Sequence, residues 1–167
     1  MWIGIMHVLQ VLVVTFYPFI IPKNFFYDFI YLLFILSSNI LWYFYGTCPI
    51  TYYHYKYYKK SDIDLLINTK SNLYIIIQNT SDIITALSVY IVCRRSNLIN
   101  TPTTVMLIII REYYSLFVKK DCLFLKYQNN KYISLFNFFF LKFYFLYSVL
   151  LLVYMFYKNK TRFINIF

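Results

Sequence analysis

The chain has 167 residues, of which 61% are hydrophobic, 24% aromatic and only 13% charged, and its net charge is +10. A soluble domain of this size has too large a surface-to-volume ratio to bury so much apolar surface. The composition therefore excludes an ordinary soluble protein and favours a membrane protein. The many Tyr and Phe residues, together with only two glycines, are also typical of an AT-rich gene.

The positive charge has to be interpreted before any partner is chosen. Lys and Arg mostly flank apolar runs, where their heads reach the phosphates and set the orientation of membrane helices. The sequence contains no aromatic-basic nucleic-acid module. We therefore predict a lipid bilayer as the partner, and no nucleic acid. The cysteines Cys48, Cys93 and Cys122 are widely spaced, which predicts neither a disulfide framework nor a zinc site.

The first two apolar segments, 2–21 and 25–45, each have about the length that crosses ~30 Å of hydrocarbon. The connection between them is too short for anything but antiparallel neighbours. At equal depth in such a hairpin His7 lies opposite Asn39, which makes them a candidate polar pair inside the bundle. Asp28 lies within one turn of the interface, where we expect it to be solvated.

The segment after the hairpin combines a structural turn with a Tyr- and Lys-rich run. Gly46 suits the left-handed position that ends a helix, and Pro49 suits the first position of the next one. Residues 49–60 are predicted to form an interfacial helix along the membrane surface. The turn comprises Gly46, Thr47, Cys48, Pro49 and Thr51, and the candidate interfacial anchors are Trp42, Tyr53, Lys56, Lys59 and Lys60.

The middle of the chain is less apolar. Residues 73–93 are predicted to form a third membrane helix whose polar side chains gather on one face. Residues 103–118 are predicted to form either a fourth membrane helix or a surface helix, beginning with Thr101 as cap and a proline.

Two middle residues are ions that such helices would place inside a membrane. If the middle helices form a hairpin about Leu98, Asp82 lies opposite Tyr114 and less than a turn from Arg111. Intramembrane ions usually face the interior and often pair. Asp82 and Arg111 are therefore a second candidate polar pair.

Residues 133–157 form the longest apolar run, with Lys142 as the only ion, and predict a C-terminal membrane helix. Apolar length favours five crossings, the distribution of Lys and Arg favours three, and a single middle crossing gives four. We predict an all-α polytopic transmembrane helical bundle of four to five membrane helices, three of them set by apolar length alone. It is one membrane domain, 1–167, with the N-terminus on the cytoplasmic side.

No catalytic arrangement is visible in the sequence. It contains no Gly-rich phosphate loop, no Gly-x-Ser-x-Gly elbow and no His-Glu-x-x-His motif, so we predict no enzyme activity. His7, Cys48 and His54 fall near the same membrane face, and such side chains can bind a metal. Their spacing carries no metal signature, and we predict no metal and no cofactor.

The turn also carries a resemblance. A helical hairpin followed by Cys-Pro-Ile-Thr resembles small multi-pass proteins of unknown function in nucleocytoplasmic large DNA viruses. It is also similar to a bacterial membrane family whose second helix ends in Cys-Pro-Leu-Thr. The residues that carry the resemblance are His7, Trp42, Cys48, Pro49 and Thr51. Those families often have an acidic residue three positions after the Thr, where this chain has His54.

These observations leave three hypotheses of function. The leading one is a non-enzymatic component of a viral or host endomembrane, acting through lipid contacts, membrane-protein partners or a homo-oligomer. The second is a small ion or proton channel or transporter, in which the polar faces of 73–93 and 103–118 meet around water. The third is an accessory subunit of an organellar respiratory complex in the mitochondrial inner membrane.

Overall fold

A computed structural model describes residues 2–46, 52–53, 56–57, 72–118 and 130–164, with the backbone alone for 2–8, 72–79 and 163–164. Within those ranges the chain forms five long helices and no strand, which confirms the predicted all-helical class there. The helices are α1 (Trp2–Ile20), α2 (Phe25–Tyr45), α3 (Asn72–Ser96), α4 (Thr101–Tyr113) and α5 (Lys131–Ile164).

Local polar groups set the ends of α2. The Asn24 Oδ1 accepts hydrogen bonds from the backbone N–H groups of Phe26 at 3.0 Å and Tyr27 at 3.2 Å, which satisfies donors that a helix start leaves free. At the other end Gly46 has a φ of 68°, and its N–H donates to the Trp42 carbonyl at 2.8 Å. Gly46 therefore takes the left-handed position that the sequence predicts.

The start of α4 differs in detail from the prediction. The capping side chain is that of Asn100, whose Oδ1 accepts from the Thr103 N–H at 3.2 Å. Thr101 is already helical, and Pro102 sits in the first turn, where its missing N–H costs nothing. The predicted cap at Thr101 is thus one residue too late. At its far end α4 continues into a π-helical turn, Tyr114–Val118.

The helices run back and forth between two ends of the bundle. One end, which we call the turn end, holds the short connections 21–24 and 97–100. There Lys158 Nζ of α5 donates to the Asn97 carbonyl at 3.0 Å, and Arg162 Nη1 donates to the Ser96 carbonyl at 3.1 Å. The opposite end, which we call the loop end, holds Gly46, Val118 and Lys131. Each of the five helices therefore connects the two ends.

The helices pack in two main pairs, α1 against α3 and α2 against α5, while α4 lies between α3 and α5. Phe29 of α2 meets Phe156 of α5 with ring centroids 5.0 Å apart, and Tyr43 meets Phe145 at 4.7 Å, so α2 and α5 are antiparallel. The apolar core lies among α2, α3, α4 and α5, and its most buried members include Leu32, Leu36, Val89, Val92, Leu98, Leu107 and Met155.

Two helices are long and apolar enough to cross a membrane, Phe25–Tyr45 and Lys131–Arg162. The second is longer than the predicted 133–157, because the polar residues 158–162 continue the helix and bond to the turn end. At 34 residues, α5 is about 51 Å long. The helix is therefore longer than the hydrocarbon thickness of a bilayer, about 30 Å.

Candidate functional site

Near the start of α2 the carboxylate of Asp28 is fully buried at the turn end. It forms an ion pair with the Arg95 guanidinium, whose Nε donates to Oδ2 at 3.0 Å. Ser96 Oγ also donates to this carboxylate, and the Tyr17 hydroxyl donates to Oδ1 at 3.0 Å. Together these contacts satisfy a buried charge that would otherwise be strongly unfavourable.

The remaining donors of Arg95 face α1. Its Nη1 donates to the carbonyl oxygens of Pro18 at 3.2 Å and Ile21 at 2.9 Å. These carbonyls belong to the last turn of α1 and to the residue that follows it, where a helix leaves acceptors without partners. We call this arrangement of Asp28, Arg95, Ser96 and Tyr17 the turn-end ion pair. It connects the α1/α2 hairpin to the end of α3.

The expectation that Asp28 is solvated is therefore wrong. The residue does lie one turn from the end of its helix, as the sequence indicates. Arg95 covers it, and this residue is separated from Asp28 by 67 positions in the chain. A pattern of neighbouring residues contains no information about such a partner, and for that reason the pair was missed.

A second polar contact joins α1 to α3. The Thr15 hydroxyl lies 3.0 Å from that of Thr85 and 3.1 Å from that of Ser81, and Ser88 Oγ donates to the Thr15 carbonyl. The polar face that the sequence predicts on residues 73–93 thus packs against α1 in its described part. Its Ser81 and Thr85 hydroxyls bond to the Thr15 hydroxyl there, so this part of the face is covered by α1.

The two ions of the predicted Asp82–Arg111 pair have different neighbours. Asp82 Oδ2 accepts from Ser115 Oγ at 2.7 Å, one residue beyond the predicted facing position at Tyr114. The Arg111 guanidinium carbon lies 5.7 Å from the centre of the Trp42 ring, a cation–π contact between α4 and α2. Among the described residues the structure does not bring Asp82 and Arg111 into an ion pair.

Within the part of the chain that the structure describes, five buried polar atoms have no hydrogen-bond partner. One of them, Asn159 Oδ1, lies near the turn end. The other four are Asn39 Nδ2, Arg111 Nη1, Tyr144 Oη and Ser148 Oγ. They belong to α2, α4 and α5, and we call this set the unpartnered layer. Buried polar groups are nearly always hydrogen-bonded, because leaving one free costs about 1–3 kcal/mol. The layer is therefore the one region of the described interior where polar groups converge without compensation.

The register of the helices places these residues within about one helical turn of one another in depth. Since Phe29 meets Phe156 and Tyr43 meets Phe145, Asn39 on α2 is level with Ser148 on α5. Aromatic rings join the other two members, because Tyr114 stacks on Trp42 at 5.6 Å and on Tyr144 at 5.0 Å. Trp42 in turn lies under Arg111. The sequence predicts two members of this set, Asn39 and Arg111, as interior polar groups. It does not single out Tyr144 and Ser148, since hydroxyls are common in apolar runs.

The other candidate residues are described in part. Several candidate side chains lie outside the described part of the protein, namely those of His7, Thr47, Cys48, Pro49, Thr51, His54, Lys59 and Lys60. The His7–Asn39 pair therefore stays a prediction. Tyr53 is exposed and its hydroxyl lies 3.2 Å from that of Tyr45, and Lys56 is exposed. Trp42 lies near the loop end and stacks on Tyr114, and its role as an interfacial anchor stays a prediction.

The described residues offer little for chemistry. No group of His, Cys, Asp and Glu among them is arranged to hold a metal ion. Asp28 and Arg95 form an ion pair with each other, and Cys93 is buried. The contacts of these polar groups join helices to one another.

Comparison with known proteins finds no match: no family model matches the chain, and no similar chain was found among curated proteins or solved structures. The resemblance through the Cys-Pro-Ile-Thr turn is therefore not tested by these comparisons.

Proposed function

We propose that this chain is an integral membrane protein whose five helices all cross the bilayer and whose role is non-enzymatic. In this proposal it acts as a structural component of its membrane, through its contacts with lipid and with other membrane helices. The bilayer takes the place that water takes around a soluble bundle. The proposal rests on the distribution of polar and apolar side chains between the interior and the surface.

That distribution differs from the one expected of a soluble bundle, because polar residues share the interior with the apolar core while large apolar residues cover the surface. Polar residues are buried along the helices, whereas large apolar residues are exposed on α5 at 46–60% of their surface. An exposed apolar area of this extent marks a membrane or protein contact. The buried polar residues include Thr15, Asp28, Asn39, Thr85, Ser88, Asn137 and Ser148, and the exposed apolar ones include Leu135, Phe136, Phe139, Phe143, Leu146, Leu150 and Val153.

The outer faces of α3 and α4 support crossing by these helices too. Ile83 and Leu87 of α3 and Val105, Met106 and Ile109 of α4 are exposed, although both helices contain many polar residues. Thr85 and Ser88 of α3 and Thr104 of α4 are buried instead, and interhelical hydrogen bonds are favourable in lipid. The mean hydropathy of a helix averages over all its faces, so it does not show that polar and apolar side chains lie on different faces. We propose five crossings for this reason.

The single ion of the C-terminal apolar run fits the same proposal. Lys142 Nζ lies 4.3 Å from the centre of the Phe138 ring, one turn closer to the loop end. A lysine within an apolar helix extends its stem toward the interface and carries its charge to the headgroups. Its direction agrees with a membrane boundary at the loop end.

Labelling at position 97 tests the number of crossings. We expect the variant Asn97→Cys, in intact membranes, to react with an impermeant maleimide from the side that holds the end of α5, since both lie at the turn end. The control variant Gly46→Cys at the loop end should react from the opposite side, and all background cysteines are replaced with Ser.

Labelling of position 97 from the same side as position 46 would contradict five crossings and support three. A chain released from membranes by alkaline carbonate would contradict integral insertion altogether. These two outcomes separate an error in the number of crossings from an error in the class of protein.

The unpartnered layer favours a second candidate, a small channel or transporter for ions or protons. Polar groups without partners at similar depths are features of a path that water or an ion enters. In this alternative the path runs among α2, α4 and α5. Ion flux into vesicles containing the purified chain tests it, with Asn39→Leu as the blocking variant and Thr80→Leu, an exposed position on α3, as the control.

The membrane and the partners remain proposals. The Cys-Pro-Ile-Thr resemblance supports a viral or host endomembrane, and an accessory role in a mitochondrial respiratory complex is the alternative. Purification in mild detergent discriminates these proposals, because an accessory subunit retains respiratory subunits whereas a homo-oligomer elutes at a multiple of 20.5 kDa plus detergent.

A further inference from the structure

We propose that the turn end is a binding surface for anionic phospholipid headgroups, an inference that rests on the membrane insertion proposed above. The observation behind it is a concentration of cations with almost no acidic residue nearby. Six cations lie on α3, on α5 and in the α1/α2 connection at this end, namely Lys23, Arg94, Arg95, Lys158, Lys160 and Arg162.

The charge at this end is not compensated within the protein. Among the residues that the structure places at the turn end, Asp28 is the only acidic one, and Arg95 neutralises it in the buried ion pair. The other cations meet only carbonyls, an amide oxygen and rings: Lys158 bonds to Asn97, and Arg162 bonds to Ser96 and lies 5.5 Å from the Phe25 ring. A surface carrying five positive charges without a counter-charge attracts an anionic partner.

The surrounding residues indicate which anionic partner it is. Tyr27 and Tyr157 are exposed beside these cations, at 55% and 81% of their surface. Tyrosine rings of this kind belong at headgroup depth, where their apolar body meets acyl chains and their hydroxyl meets water. A flat nucleic-acid or protein surface has no acyl layer for the apolar faces directly below the cations, at Phe26, Ile30 and Val153. A phospholipid can contact both features, because its phosphate binds the cations and its acyl chains contact the apolar faces.

The cations come from separate elements, so they form a broad surface rather than a pocket. Lys23 lies in the α1/α2 connection, Arg94 lies in the last turn of α3, and Lys160 lies near the end of α5. Each cation near an anionic membrane contributes about a fivefold gain in affinity. Removal of three cations is therefore expected to weaken binding of anionic lipid about 100-fold.

The experiment compares two triple variants of the full chain in mild detergent. The turn-end variant carries Lys23→Gln, Arg94→Gln and Lys160→Gln, three exposed residues that make no hydrogen bond within the described part of the protein. Lys158 and Arg162 remain because they hold the α3/α4 turn. The control variant carries Lys56→Gln, Lys131→Gln and Lys142→Gln, which remove the same charge nearer the loop end.

The thermal midpoint is measured while phosphatidylglycerol, phosphatidylcholine, inorganic phosphate or a DNA duplex is added. We expect phosphatidylglycerol at about 100 times its Kd to raise the Tm of the natural protein by about 5–10 °C, and phosphatidylcholine and phosphate to have little effect. The turn-end variant should lose most of this increase and the control variant should keep it.

Three results would overturn the proposal. Equal shifts with both lipids would remove the role of headgroup charge, and equal losses in both triple variants would remove the role of the turn end. A full shift with inorganic phosphate or with DNA alone would assign the surface to a free anion or to nucleic acid. Membrane insertion is measured separately by carbonate extraction, so failure of this inference is distinguishable from failure of the proposed function.

Discussion

The turn-end ion pair and the unpartnered layer contain similar side chains in opposite states. At the turn end a buried carboxylate has donors from Tyr17, Arg95 and Ser96, and every contact joins two helices. In the layer, Asn39 and Ser148 are equally buried but their Nδ2 and Oγ atoms have no partner. Buried polar groups thus stabilise this bundle in one place and cost stability in another. Substitutions at the two places should therefore have opposite signs.

The largest effect is expected from breaking the turn-end ion pair. Asp28→Ala leaves the Arg95 guanidinium without its counter-ion and should lower the free energy of unfolding by about 3–5 kcal/mol. Denaturant titration in detergent micelles measures it. Asp82→Ala is the matched control, because Asp82 accepts from a single hydroxyl and its loss should cost only about 1 kcal/mol.

A double variant sharpens this result. Asp28→Leu combined with Arg95→Met removes both charges, and apolar residues often replace a buried pair without loss. We expect the double variant to be more stable than either single variant. A double variant whose loss equals the sum of the two single losses would show that the two residues act independently, against the geometry.

The unpartnered layer should respond in the opposite direction. Asn39→Leu with Ser148→Ala removes two buried polar groups that make no hydrogen bond through Nδ2 and Oγ, and should raise the free energy of unfolding by about 1–3 kcal/mol. The same titration measures it. Thr15→Val is the control, since Thr15 has hydroxyl partners and its replacement should destabilise. A destabilised layer variant would indicate a partner for these groups.

A smaller loss is expected between α1 and α3. Ser88→Ala removes the hydrogen bond to the Thr15 carbonyl, and interhelical hydrogen bonds in membrane proteins contribute about 0.6 kcal/mol on average. Unfolding measured beside the Thr15→Val protein checks whether the two losses add. Because Thr15→Val removes the hydroxyl that bonds to Ser81 and Thr85 but keeps the carbonyl that accepts from Ser88, the two substitutions remove different hydrogen bonds. We therefore expect the two losses to add to within about 0.5 kcal/mol. A combined loss well below the sum would show that the Ser88 bond depends on the Thr15 hydroxyl.

The smallest effect is expected at Lys142, whose charge points along the exposed face of α5. Lys142→Met keeps the stem that covers this face and removes the charge together with the contact to Phe138. The free energy of unfolding should change by less than about 0.5 kcal/mol. A large loss in the same titration would mean that Lys142 has a structural partner, in contrast to its exposed position.

The sequence predicts the helices of this fold better than it predicts their contacts. The predicted 25–45 agrees with α2, because apolar length and the flanking Asn24 and Gly46 act locally. The end of α5 was placed too early, since residues 158–162 are polar but are held by the turn end. Hydropathy reports transfer into lipid and does not report such tertiary contacts.

The candidate polar pairs show the same division. Hairpin geometry brought the prediction for Asp82 to within one residue of its partner Ser115, because antiparallel helices joined by a short turn have a fixed register. It did not find Arg95 as the partner of Asp28, since no turn joins the two helices directly. Contacts between separate hairpins depend on how the whole bundle packs, and no local sequence pattern predicts that packing.

The separation of Asp28 and Arg95 along the chain orders the biosynthesis of this protein. Chains fold from the N-terminus as they are made, so the first hairpin exists before α3 does. Until Arg95 emerges, 67 residues later, Asp28 has only Tyr17 among its final side-chain partners. In the proposed membrane topology the carboxylate lacks its counter-ion until α3 is made, and pairing with Arg95 then joins the second hairpin to the first. Lys158 and Arg162 then close over a turn that is already built, which makes α5 the last helix to dock.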